Sequence, residues 1–126
     1  MDTIARTADD YRLHAELCKV LTDPKRLMLL DALRGGERSV GDLAAILGCP
    51  LPNASQHLGV LRAAGLVSSR RMGTTVLYAL AEPDILQACD VVGRIVRGRA
   101  RAGTGTPATG APRRATAVAI PVTASR

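Results

Sequence analysis

Leu51-Pro52-Asn53-Ala54-Ser55-Gln56-His57-Leu58-Gly59-Val60-Leu61-Arg62-Ala63-Ala64-Gly65-Leu66-Val67 is the stretch that decides the fold. Leu51, Ala54, Leu58 and Leu61 recur at helical steps and predict a helix over about 51–64 with those residues inward. Gly65 closes it. Beside that stripe stand Asn53, Ser55, Gln56 and His57. Asn and Gln amides donate and accept together at a base edge, and Ser and His reach bases or phosphates. The plainer alternative makes them solvated positions, with His57 pinned by a neighbouring helix. Upstream, Gly48-Cys49-Pro50 is a tight break. Before it, Ser39-Val40-Gly41-Asp42 has capping-box spacing, and Val40, Leu43, Ile46 and Leu47 form the inner stripe of a short helix. Two short helices across a glycine-containing break predict a helix-turn-helix.

Downstream the period changes. Leu66–Arg71 and Thr75–Leu80 are β-prone runs joined through Met72-Gly73-Thr74, a hairpin pattern with Arg70 and Arg71 at one side of its tip, suited to phosphates. Glu82-Pro83-Asp84 starts a last helix, with Ile85, Leu86, Cys89, Val92 and Val96 on one face. Upstream, Leu13, Leu17, Val20 and Leu21 mark a helix over about Thr7–Leu21. Asp23-Pro24 caps and opens the next, which carries Leu27, Leu29, Leu30 and Leu33 and ends at Gly35-Gly36. Lys25 and Arg26 read as the starting face of that helix rather than as base readers. The class is mainly α with a β-hairpin.

Composition narrows the function. The chain has 126 residues, 47% hydrophobic, with no Phe or Trp and only Tyr11 and Tyr78 as aromatics. Base-stacking sheets of the RNA-recognition and OB types need rings, so the composition argues against both. The net charge is +6, but residues 99–126 hold five arginines and no acid. Residues 1–98 are therefore read as the folded domain. Residues 99–126 are read as a basic Gly/Ala/Thr/Pro-rich tail, expected to be disordered, which adds at most non-specific attraction to phosphates. No run of about 18 apolar residues and no secretory h-region is present, so a cytoplasmic protein without a membrane partner is expected. Three widely spaced cysteines, Cys18, Cys49 and Cys89, are not a disulfide framework. No catalytic constellation or cofactor motif is evident, and Glu82 and Asp84 are explained by a helix start. The protein is read as a non-enzyme without a cofactor.

Asp23-Pro24-Lys25-Arg26-Leu27, Ser39-Val40-Gly41-Asp42-Leu43-Ala44, the run Asn53–Val67 and Arg70-Arg71-Met72-Gly73 together resemble the ArsR/SmtB family of bacterial repressors, over roughly residues 10–97. The resemblance implies a winged helix-turn-helix homodimer joined through its first and last helices. It also implies binding to an imperfect inverted repeat in double-stranded DNA, and release by a small inducer or an oxidant. It points to Asn53, Ser55, Gln56 and His57 as recognition-helix contacts and puts Arg70 and Arg71 in the wing. The chain departs at the wing tip, where Thr74 replaces the basic residue of many relatives.

Family members differ in their sensor. The thiolate metal box of the third helix needs cysteines near residues 39–44, and none is there. The last-helix zinc site needs histidines, and residues 83–98 contain none. Cysteine chemistry remains. Cys18 and Cys89 lie in the two helices that the resemblance assigns to the interface, and their modification by sulfur species or an oxidant would lower DNA affinity. In persulfide-sensing relatives the first cysteine falls later, near Asp31. Core packing is the plain alternative for both thiols. A second alternative is a metal or metalloid site made by His14, Cys18 and Cys89, since His14 and Cys18 share a helix face. Cys49, just before the recognition helix, is a lesser candidate. A protein-interaction module that never meets DNA is the competing class.

Overall fold

Residues 6–103 are described by the computed structural model. Along them run α1 (Ala8–Val20), α2 (Pro24–Ala32), a 3-10 turn (Leu33–Gly35), β1 (Arg38–Ser39), α3 (Val40–Leu47), α4 (Leu51–Ala63), β2 (Val67–Met72), β3 (Thr75–Leu80) and α5 (Asp84–Arg101). The helix starts follow their capping residues. The Thr7 hydroxyl accepts from the Asp10 N–H, and the Asp10 carboxylate accepts from the Thr7 N–H, a complete capping box for α1. Asp23 accepts from the Lys25 N–H at 2.8 Å and Pro24 opens α2. Ser39 accepts from the Asp42 N–H at 3.0 Å and starts α3.

The three strands pair antiparallel in the order β1-β3-β2. Met72 pairs with Thr75, so the hairpin turns on Gly73-Thr74 alone, and Met72 belongs to the ladder rather than to the connection expected from sequence. Gly73 has φ +65°, a left-handed conformation that glycine adopts at little cost. β1 is two residues long, too short for any period to reveal it. It is defined by its partners, Arg38 opposite Tyr78 and Ser39 opposite Leu77.

Among the described residues, Leu29, Leu30, Leu33, Leu43, Leu58 and Leu61 are the largest fully buried side chains. Each contributes about 1.5–3 kcal/mol by leaving water. Ala54, Leu66, Val67 and Tyr78 are buried with them. Two apolar positions expected inward, Ile46 and Leu51, are instead well exposed. Ile46 lies near the end of α3, and Leu51 is the first residue of α4.

The chain divides after Leu86, within α5. That helix continues to Arg101, past the change of composition at Gly98. The rest of the expected tail, residues 104–126, lies outside the described residues. No helix among the described residues is long and apolar enough to cross a membrane.

Candidate nucleic-acid interface

The break between α3 and α4 is built by its residue types. Gly48 ends α3 in the left-handed region, φ +67°, and its N–H closes onto the carbonyls of Ala44 and Ala45. The Cys49 N–H follows onto Ala44 O at 3.2 Å. Pro50 then precedes α4, and Pro52 occupies its first turn, where a missing N–H leaves no bond unmade. The result is the short, rigid corner of a helix-turn-helix.

α4 buries Ala54, Leu58 and Leu61, spaced four and three residues apart, on one side. At 100° per residue, Gln56 stands almost opposite that stripe, with Asn53 and Ser55 on its two flanks. All three are exposed. His57 differs. It is half-buried, and its Nδ1 lies 3.4 Å from Arg26 Nη1 of α2. Arg26 is itself fixed by an Nε–H donated to Val20 O at 2.7 Å. The neighbouring helix therefore does hold His57, as the plainer reading anticipated. Below this contact the Asp23 carboxyl is held beneath the usual carboxylate range, first by the Lys25 N–H and further by the charges of His57 and Arg26.

The wing separates its two arginines. Successive strand residues face opposite sides, so Arg70 and Arg71 cannot form one phosphate clamp as their adjacency in sequence suggests. Arg71 shares the face of Val67 and Tyr78, both buried, but sits exposed toward the tip. Arg70 emerges on the other face and reaches Glu37. Its Nε donates to Oε2 at 2.6 Å and its Nη2 to Oε1 at 2.9 Å, a two-pronged ion pair. The Arg70 hydrogen bonds hold the Glu37 carboxyl below its ordinary value, and the carboxylate raises Arg70. Sequence reasoning missed Glu37. It lies in a Gly-Gly-Glu-Arg linker without period, and only β1 joining the hairpin brings it to the wing.

Gly59 was missed too. It lies one turn beyond Gln56 on the outer side of α4, and a Cβ there would meet nothing within 4 Å. A glycine inside a helix costs roughly 1 kcal/mol relative to alanine. No packing within the chain demands this one.

The cysteines occupy different settings. Cys18 is a free, exposed thiol on α1, Cys49 is free and half-buried in the α3–α4 corner, and Cys89 is half-buried on α5. Among the described residues no group of three His, Cys, Asp or Glu side chains could hold a metal ion. His14 has Arg6 Nη2 3.2 Å from its Nδ1.

A family model described as a helix-turn-helix domain matches residues 21–70. The HTH-type transcriptional regulator Rv0081 of Mycobacterium tuberculosis, itself uncharacterised, is 41% identical over 87 residues, covering 68% of this chain and 76% of the relative. The biofilm growth-associated repressor of Agrobacterium fabrum is 52% identical over 68 residues, 54% of this chain and 58% of the relative. A solved homodimeric winged helix-turn-helix DNA-binding domain from Mycobacterium bovis, of a possible ArsR-family transcriptional regulator, superposes with a TM-score of 0.64 at 34% identity. It covers 77% of this chain and 89% of that one.

Proposed function

This chain belongs to the ArsR/SmtB family of winged helix-turn-helix transcriptional regulators, and from that premise we propose that it is a cytoplasmic, homodimeric repressor. Each protomer lays α4 into the major groove of one half of an imperfect inverted repeat. The observation that carries this reading is the division of α4. Ala54, Leu58 and Leu61 are consumed by the core, while Asn53, Ser55 and Gln56 are left exposed around the opposite side. A Gln amide there forms paired hydrogen bonds to an adenine edge. The missing side chain of Gly59 lets the groove approach closely. Arg71 meets the phosphate backbone, and Arg70 joins it where Glu37 yields. His57 keeps Nδ1 toward Arg26 and offers its other ring nitrogen to DNA.

Two-fold pairing is supported by apolar side chains left in water. Tyr11 and Leu13 on α1, and Val91, Val92, Ile95 and Val96 on α5, are all well exposed. The Mycobacterium bovis neighbour is homodimeric. A two-fold reader of this type spans half-sites about 34–36 Å apart.

Footprinting on the DNA upstream of its own gene tests the reading. A protected inverted repeat is expected, and Gln56→Ala should relax preference at one position by about 1–3 kcal/mol. Unchanged preference would remove Gln56 from the base-reading set. No binding to any duplex at low salt, with salt-insensitive capture of a protein, would leave the interaction-module reading instead.

Release through Cys18 and Cys89 is the switch this reading favours. With peroxide, two thiols lose two protons and two electrons, one S–S bond forms, and the peroxide leaves as two waters. With a polysulfide, one thiolate attacks a chain sulfur and breaks an S–S bond of the chain, expelling a shorter polysulfide and leaving a persulfide; the second thiolate attacks the cysteine sulfur of that persulfide, forming the S–S bond between the cysteines and releasing hydrogen sulfide. Both residues lie on helices that carry well-exposed apolar side chains, so a link there would alter the spacing of the reading heads without touching them. Cys18→Ser and Cys89→Ser should each keep DNA binding and lose the response. Normal response in both variants would return the thiols to packing. A metal site of His14, Cys18 and Cys89 is less favoured, given the absence of a three-ligand group among the described residues.

A further inference from the structure

Glu37 stands immediately before β1, and the strand register carries its face across the sheet. Ser39 lies opposite Leu77, and Leu77 lies opposite Arg70. Arg70 reaches across β3 along this row and grips Glu37 with Nε and Nη2. Both side chains remain open to solvent, 55% for Arg70 and 34% for Glu37. An exposed pair of this kind adds little to stability. Its effect on the field outside the wing is larger, because the pair presents no net charge. Resting on the DNA-binding reading above, we propose that Glu37 is a brake on the wing. By occupying Arg70 it limits the number of phosphates the wing neutralises, and leaves Arg71, on the opposite face, as the wing's standing cationic contact.

The physical consequence is read in salt dependence. Each phosphate neutralised by a cation releases counterions, and the slope of log affinity against log salt steepens by about 0.9. A phosphate oxygen must compete with a carboxylate already bound through two hydrogen bonds. The guanidinium side that would clasp a phosphate with the same two-pronged geometry is the side that Glu37 fills.

The test uses the full chain and two duplexes, its own upstream DNA and a scrambled sequence of equal length. Fluorescence anisotropy is measured from 50 to 200 mM salt for wild type, Glu37→Gln, Arg70→Ala and the double variant, with thermal melts alongside. Glu37→Gln should bind both duplexes more tightly, with a slope steeper by about 0.9. The advantage over wild type should then grow by about 3.5-fold when salt falls fourfold. In the Arg70→Ala background the same change should bring no steepening. Glu37→Ser should repeat the result, and replaces Glu37→Gln if that variant melts early. Three outcomes overturn the brake alone: an unaltered slope, weaker binding (which would make Glu37 an aiming residue for Arg70), or an equal gain in the Arg70→Ala background, which reports mere loss of a negative charge. Failure of all four proteins to bind any duplex overturns the DNA-binding reading, and the brake with it.

Discussion

α1 and α4 are both thirteen-residue helices, and they reached that length by different routes. α1 begins with a complete capping box and carries an Arg12–Glu16 ion pair at 3.0 Å, yet it buries no residue. α4 begins without a side-chain cap and holds a glycine in its interior, yet Ala54, Leu58 and Leu61 are at 0% exposure. Leu13 of α1 is 54% exposed. Isolated helices of this length are marginal in water. Local signals therefore favour α1 but leave it in need of packing on its apolar side, whereas tertiary packing holds α4 despite weak local signals. A helix finished by its own chain can offer its outer side to DNA. A helix left unfinished has its apolar side available for a second copy.

Leu58→Ala is the largest perturbation expected, about 2–5 kcal/mol, because it leaves a cavity at a site with no exposure. Leu13→Ala should cost under about 0.5 kcal/mol in dilute protein, where surface changes count for little. At high concentration it should weaken the proposed dimer, and twice over, because a two-fold interface uses each residue on both sides. Urea unfolding at two protein concentrations separates the cases. A large loss for Leu13→Ala at the lower concentration would make α1 a core element and break the contrast.

Gly59→Ala sharpens the contrast from the other side. The added methyl meets nothing in the chain, so stability should rise by up to about 1 kcal/mol. DNA affinity should fall, because the proposed docking of α4 brings the groove close to this methyl. A rise in melting temperature with unchanged anisotropy titrations would mean that nothing approaches this part of α4.

The helix-turn-helix was legible because its signals are local. Asp23-Pro24, the Ser39 cap, Gly48 and the 54–58–61 stripe each act within a few residues, and each is found in place. The hairpin was legible from its β-prone runs, and Gly73 marked its turn. What escaped depends on partners distant in sequence. Glu37 and Arg70 are 33 residues apart, and Arg26 and His57 are 31 apart. No period records such pairs. Leu51 and Ile46 obeyed the helical period yet stayed exposed, since a period says which residues share a side and not whether anything covers it. The opposite orientation of Arg70 and Arg71 was available from strand alternation, and it carries more of the wing's electrostatics than their adjacency.

The smallest expected effect concerns how α1 is held. The Asp10 carboxyl lies below its ordinary value, chiefly because the Thr7 N–H donates to it at 2.8 Å and further because of the Thr7 hydroxyl. A depressed carboxylate in the folded state favours folding above its unfolded value, and that contribution is lost as pH falls through the lowered one. α4 has no acid in its first turn and no such dependence at its start. Acidification should therefore open the first-turn amides of α1 while those around Leu58 stay protected, as read by hydrogen exchange along a pH series. Asp10→Asn should remove the acid step from α1 and leave α4 unchanged. Equal acid sensitivity of both helices would show that α1 is held by packing rather than by its cap.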